Sequence, residues 1–171
     1  PYESIYHISH SLHSYRRNTE AQRHNIPVYV RLEFNAKDIG DFQLPGGSYK
    51  VYEQKDGILT YIGVGTSAIA EGTDKIKLET GKTHDILCTF NITSYEINRD
   101  VGEAEVQAVF DNRKDKTVKI VWIENFSDGR WNIFESSNDY ERLDAYNAQF
   151  NVKIPANSKE EIRFKARIEK I

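Results

Sequence analysis

The chain predicts a mainly β protein: an immunoglobulin-like antiparallel β-sandwich preceded by a smaller packed β unit. Three observations predict it. Apolar and polar residues alternate with a period of two along most of the sequence, which places successive side chains on opposite faces of a strand. Turn-forming residues separate the alternating runs. Helical spacing fits only two short pieces, near Arg16–His24 and Tyr140–Ala145.

Taken in order, "VYVRLEF" sets Val28, Val30, Leu32 and Phe34 on one face and Tyr29, Arg31 and Glu33 on the other. "YKVYE" and "ILTYIG" flank "QKDG", whose Asp56-Gly57 pair suits a tight hairpin. "DILCTFNI" brings Ile86, Cys88, Phe90 and Ile92 into phase. The same period returns in "EVQAVF" (Val106, Ala108, Phe110) and "TVKIVWI" (Val118, Ile120, Trp122). "NRKDK" at Asn112–Lys116 reads as a longer hairpin loop, and "SDGR" at Ser127–Arg130 parts the Trp122 strand from the Trp131 strand. "AQFNVKI" and "EIRFKARI" close the chain around the turn "PANSKE". An internal boundary is expected near "ETGKTHD", giving an N-terminal β unit over 1–80 and the sandwich over 81–171.

Composition bounds the function. At 171 residues the chain can bury a substantial core. A net charge of −3 argues against a nucleic-acid partner, which requires clustered Lys and Arg to displace counterions from phosphates. No apolar run is long enough for a membrane-spanning helix. Cys88 is the sole cysteine, so an internal disulfide and a cysteine-rich zinc site are both ruled out. The chain starts at Pro1 and contains no Met, as expected of a processed or excised piece. Two glycosylation sequons, at Asn91 and Asn125, are no more than chance supplies in so Asn-rich a chain.

The order of motifs resembles a bacterial conserved domain of unknown function, the C-terminal part of mucoidy-inhibitor-A-like proteins. The residues that carry the resemblance are "LPGGSYKVYEQKDGILTYIG", "GKTHDIL", "VFDNRKDKTVKIVWIENF" and the closing stretch from "WNIFESSNDYERLD" to "FKARI". It covers roughly Ile26 to Ile171, and the first twenty-odd residues match poorly. What it implies is a β-rich domain in an envelope-associated or periplasmic bacterial protein, with no known reaction and no accepted catalytic residues.

Candidate chemistry is sparse. "YHISHSLHSY" spaces His7, His10 and His13 three apart. On a helix these could converge on a metal ion; on a strand His10 points away from the other two, and no site forms. The flanking Ser, Tyr and Ile favour the strand, with the histidines exposed. "LPGGS" lacks the Gly-Lys-Ser/Thr and the following helix of a phosphate cradle, so Pro45 and Gly46 read as a turn. "GVGTSA" lacks a third glycine and a helix. His84 and Asp85 in "THD" are strand neighbours that face opposite ways, and no G-x-S-x-G elbow occurs. Asp139, Glu141 and Asp144 lack the spacing and central glycine of a calcium loop. Cys88, in phase with Ile86 and Phe90, reads as a small core residue.

Aromatics remain. Trp122 shares phase with Val118 and Ile120, so it belongs in the core, whereas Trp131 and Tyr140 could form an exposed stacking surface. The expected function is a non-enzymatic module for protein–protein interaction, self-association or assembly, needing no cofactor. The alternative is a carbohydrate-binding module that stacks sugars on Trp131 or Tyr140. A metal hydrolase using His7, His10 and His13 is a third possibility.

Overall fold

The fold was described from a computed structural model, which describes residues 3–12, 22–35, 45–67, 75–98, 100–126 and 129–170. It is a mainly β protein built around an antiparallel sandwich. The described residues contain thirteen strands and no α-helix. They divide into two compact units, one of Pro1–Tyr6 with Tyr29–Thr83 and the other of His7–Val28 with His84–Ile171. The units divide at Thr83/His84. The structure adds a second crossing: residues 7–28 belong with the C-terminal unit.

In the larger unit, five strands form one sheet: β2 (Gln22–Ile26), β7 (Ile86–Asn98), β8 (Val101–Asn112), β10 (Gly129–Ser136) and β13 (Ser158–Lys170). Their order is β10-β13-β8-β7-β2, antiparallel throughout. The opposing layer holds β9 (Val118–Asn125), β11 (Tyr140–Arg142), β12 (Asn147–Ile154) and the His7–Ser11 part of β1 (Glu3–Ser11), in the order β11-β12-β9-β1.

Alternation determines what this unit buries. Every second residue of β8 is buried, and Val106, Ala108 and Phe110 have no exposed surface. Trp122 from one layer meets Phe90, Phe110 and Phe164 from the other, with ring centroids 5.7–6.1 Å apart. It also stacks on its own neighbour Phe150 at 4.8 Å. Each large aromatic buried this way is worth about 1.5–3 kcal/mol of transfer free energy. The core position expected for Trp122 is therefore correct.

One connection differs from expectation. "NRKDK" does not close a hairpin, because β8 and β9 lie in different layers. "SDGR" (its Ser127 and Asp128 outside the described residues) parts the Trp122 and Trp131 strands and "PANSKE" joins the last two strands, as expected, and both link opposite layers. Turn residues mark where a strand stops, not which strand it pairs with. Asn112 supports two of these crossings. Fully buried, its amide nitrogen donates to the carbonyls of Lys116 (2.9 Å) and Pro155 (2.7 Å), and its oxygen accepts from the Lys114 N–H (3.1 Å).

The smaller unit is one sheet. Its strands are β3 (Tyr29–Asn35), β4 (Gly47–Lys55), β5 (Ile58–Ser67) and β6 (Lys75–Lys82), with the opening residues of β1, in the order β1-β3-β6-β5-β4. The hairpin expected at Asp56-Gly57 forms, with both residues at positive φ (51° and 80°), the backbone a two-residue primed turn requires. "GVGTSA" is strand up to Ser67, and the cradle-like "PGGS" leads into β4. Where they are described, the two expected helical pieces contain strand. Gln22–Ile26 is strand β2 and residues 13–21 lie outside the described set. Tyr140–Arg142 is strand β11, paired with Ala148–Phe150.

Candidate functional site

The expected histidine cluster does not assemble. His13 lies outside the described residues, and His7 and His10 occupy opposite faces of β1. His10 is not exposed, contrary to the sequence reading. It shares the inward phase of Tyr6, Ile8 and Leu12 and is only 8% accessible. Its imidazole lies on the Phe90 ring, centroids 3.7 Å apart. Its Nδ1 is 2.8 Å from both carboxylate oxygens of Glu124.

Glu124, which the sequence reading missed, is the most enclosed acid among the described residues, with no accessible surface. Its signal was available: it continues the Val118, Ile120, Trp122 phase of β9, a charged residue where only core residues belong. An ionised carboxylate only accepts hydrogen bonds, so Nδ1–H of His10 and Nε1–H of Trp122 (3.1 Å) must both donate to it. A polar group removed from water is tolerated only when it is hydrogen-bonded, and this one is.

Two more titratable groups border the pair. His24 on β2 has its ring 5.6 Å from His10 and 5.4 Å from Phe90, its register partner on β7. Burial, with the neighbouring His10 adding to it, holds it below the ordinary imidazole value of 6.5. Cys88, two residues along β7, is buried as expected. Desolvation, with the Glu124 charge adding to it, pushes its thiol up to about 12. A thiol at that value is protonated at neutral pH and is a poor nucleophile. No group of three or more His, Cys, Asp or Glu able to hold a metal ion occurs among the described residues.

Trp131 is a second correction. It is 4% accessible, not an exposed platform. Phe126 stacks on it at 4.6 Å and the Arg142 guanidinium lies 3.7 Å from its ring centroid. Two groups so close cannot share a face, so both faces of the indole are covered. Its N–H donates to the Ala145 carbonyl at 2.8 Å, and Arg142 donates to the Trp131 carbonyl at 2.7 Å. Tyr140 is 36% accessible, and its hydroxyl donates to the Ile133 carbonyl.

The remaining candidates have structural work. Asp144 accepts from the Asn147 side-chain amide (2.8 Å) and from the backbone N–H groups of Tyr146 (2.7 Å) and Asn147 (2.9 Å), the side-chain bond foremost in holding its carboxyl below the usual range. It shapes the turn before β12. Asp85 accepts from Lys114 Nζ at 2.8 Å, which lowers its pKa.

An unpredicted surface lies in the smaller unit. Tyr52, Ile58, Leu59, Tyr61, Ile62 and Val64 are all exposed on the β4–β5 hairpin, Ile58 and Leu59 at 68% and 66%. Tyr52 and Tyr61 pair edge-to-face on one side at 5.5 Å, with Leu59 two residues along on the same face. The lateral edge of β4 ends the strand order among the described residues.

No family model and no curated protein matches the chain. Among solved structures it is similar to the folded domain of the Mycobacterium tuberculosis LppM protein, determined by NMR, at 12% identity over 99% of this chain and 91% of that one. The TM-score is 0.28, too low to carry an argument. No helix among the described residues is long and apolar enough to cross a membrane.

Proposed function

We propose that this chain is a non-enzymatic β-sandwich module for protein–protein contact or assembly in a bacterial envelope-type protein. The observation that carries the reading is the β4–β5 hairpin. Six large apolar side chains stand in water on one hairpin, with Tyr52, Leu59 and Tyr61 together on one face, and exposed apolar surface of this kind marks an interaction site. They lie beside a strand whose outer edge has no neighbour among the described strands, and an edge of that kind accepts a partner's strand through main-chain hydrogen bonds. The envelope setting is supported by the mucoidy-inhibitor-A-like motif order alone.

Sugar stacking has less support. The Trp131 face that a sugar would need is occupied by Arg142, which would have to leave together with its bond to the Trp131 carbonyl.

The test is site-specific photo-crosslinking from position 59, with sedimentation analysis of the wild type and of Ile58→Asn/Leu59→Asn. Both residues are far enough into solvent that the substitutions leave the fold intact. The reading expects a crosslinked partner or oligomer that the double variant loses. Recovery of neither from the wild type would overturn it. Glycan binding that Trp131→Ala abolishes would establish the sugar reading instead.

A further inference from the structure

One flank of the larger unit is closed in a way that owes nothing to the hairpin. β10 ends the five-stranded sheet and β11 ends the opposing one, and side chains rather than a backbone ladder join them. Which groups of β10 face this flank follows from its register with β13. The Ser137 N–H donates to the Arg163 carbonyl, so Arg163, Lys165 and Arg167 turn their backbone groups toward β10. Asn132, opposite Arg167, is their bonded partner, and its neighbours Trp131 and Ile133 turn their backbone groups outward. Both outward carbonyls are occupied. Arg142 donates to that of Trp131 at 2.7 Å, and the Tyr140 hydroxyl donates to that of Ile133 at 3.3 Å.

We propose that β11 is an edge guard: Tyr140 and Arg142 hold the carbonyls through which a further strand would dock on β10, closing this flank of the sandwich to strand addition. An incoming antiparallel strand bonds every second residue of the edge it joins, and on β10 those residues are Trp131 and Ile133.

Both guards are anchored. Arg142 lies 3.7 Å from the centroid of the Trp131 indole, and the Tyr140 ring packs against Phe150 at 5.8 Å. Their strand is held by pairing with Ala148–Phe150, and the Trp131 indole N–H donates to the Ala145 carbonyl just beyond it at 2.8 Å. A bulge adds a further barrier. The register slips between Ile133 and Glu135, leaving Phe134 as an extra, exposed residue that bends the edge a docking strand would follow. An inward-pointing charge and a bulge are both means by which sheet edges are kept from pairing.

The test removes the two donors and keeps their packing. Tyr140→Phe/Arg142→Met leaves a ring and an unbranched chain in place, and neither new side chain can donate to a carbonyl. All variants carry Ile58→Asn/Leu59→Asn, which sets hairpin contacts aside, and are compared with that parent by sedimentation and by amide hydrogen exchange at low and high protein concentration. The proposal expects the donor-less variant to gain species of about twice the parent mass or more. The Trp131 and Ile133 amides should then exchange more slowly at high concentration, and adding Phe134→Lys should reverse both changes. No gain in mass, a gain without protection of those two amides, or a gain that Phe134→Lys leaves intact would each overturn it. So would the same protection in Asn112→Ala, which loosens the fold elsewhere. The wild type gives a check that needs no variant: slowing of its Trp131 and Ile133 amides with concentration would also overturn the proposal.

Discussion

Replacing Glu124 with Leu isolates the buried pair. The carboxylate accepts from two donors, His10 Nδ1 and Trp122 Nε1, on side chains with almost no access to water. Removing it strands both. Each buried donor left without an acceptor costs about 1–3 kcal/mol, giving about 2–6 kcal/mol together. That brackets the ~3–5 kcal/mol typical of breaking one partner of a buried pair. The double variant His10→Phe/Glu124→Leu strands only the indole N–H, so it should recover about 1–3 kcal/mol of the single-variant loss. Urea denaturation followed by tryptophan fluorescence reads this directly, because Trp122 and Trp131 both lie in the larger unit. With a slope near ~3 kcal/mol/M, the single variant moves the midpoint down by about 1 M or more. A loss below about 1 kcal/mol, or a double variant as unstable as the sum of its singles, would refute the claim that the pair is coupled.

Four other outcomes follow from the same structure. The Tyr95 hydroxyl is buried without a hydrogen-bond partner among the described residues, so Tyr95→Phe should be neutral or raise the melting temperature. A Cβ at Gly102 would lie 2.8 Å from that hydroxyl, so Gly102→Ala should cost about 1–3 kcal/mol and lose less in the Tyr95→Phe background, as calorimetry can show. Asn112→Ala removes hydrogen bonds to Lys116, Pro155 and Lys114 at about 1 kcal/mol each, a loss of about 3 kcal/mol in chemical denaturation. Cys88, with its thiol near 12, holds about one thiolate in ten thousand at pH 8, so disulfide reagents should label it only in denaturant; rapid labelling of the native protein would contradict its burial.

Phase along a strand was legible because it is local. Ile86, Cys88, Phe90 and Ile92 are buried together, as are Val106, Ala108 and Phe110, and Asp56-Gly57 makes its turn. Pairing was not legible, since "NRKDK" has the same turn chemistry whether it closes a hairpin or crosses between layers. The buried pair was hidden for a related reason. His10 is in phase with Ile8 and Leu12, and Glu124 with Trp122, but nothing in either strand states that the two meet 114 residues apart. Trp131 looked available because its covers, Phe126 and Arg142, come from separate segments whose convergence depends on the fold. Tyr140–Ala145 imitated a helix through composition alone, whereas pairing of Tyr140–Arg142 with β12 makes it a strand.

The separation between His10 and Glu124 has a consequence for biosynthesis. A ribosome adding about 5–20 residues per second needs roughly 6–23 s to make the intervening chain, far longer than the microseconds to milliseconds of local folding. Throughout that wait Ile8 and Leu12 have emerged before the β9 strand that helps enclose them. The Ile8–Leu12 stretch is thus a natural place for a chaperone to hold the nascent polypeptide until β9 emerges.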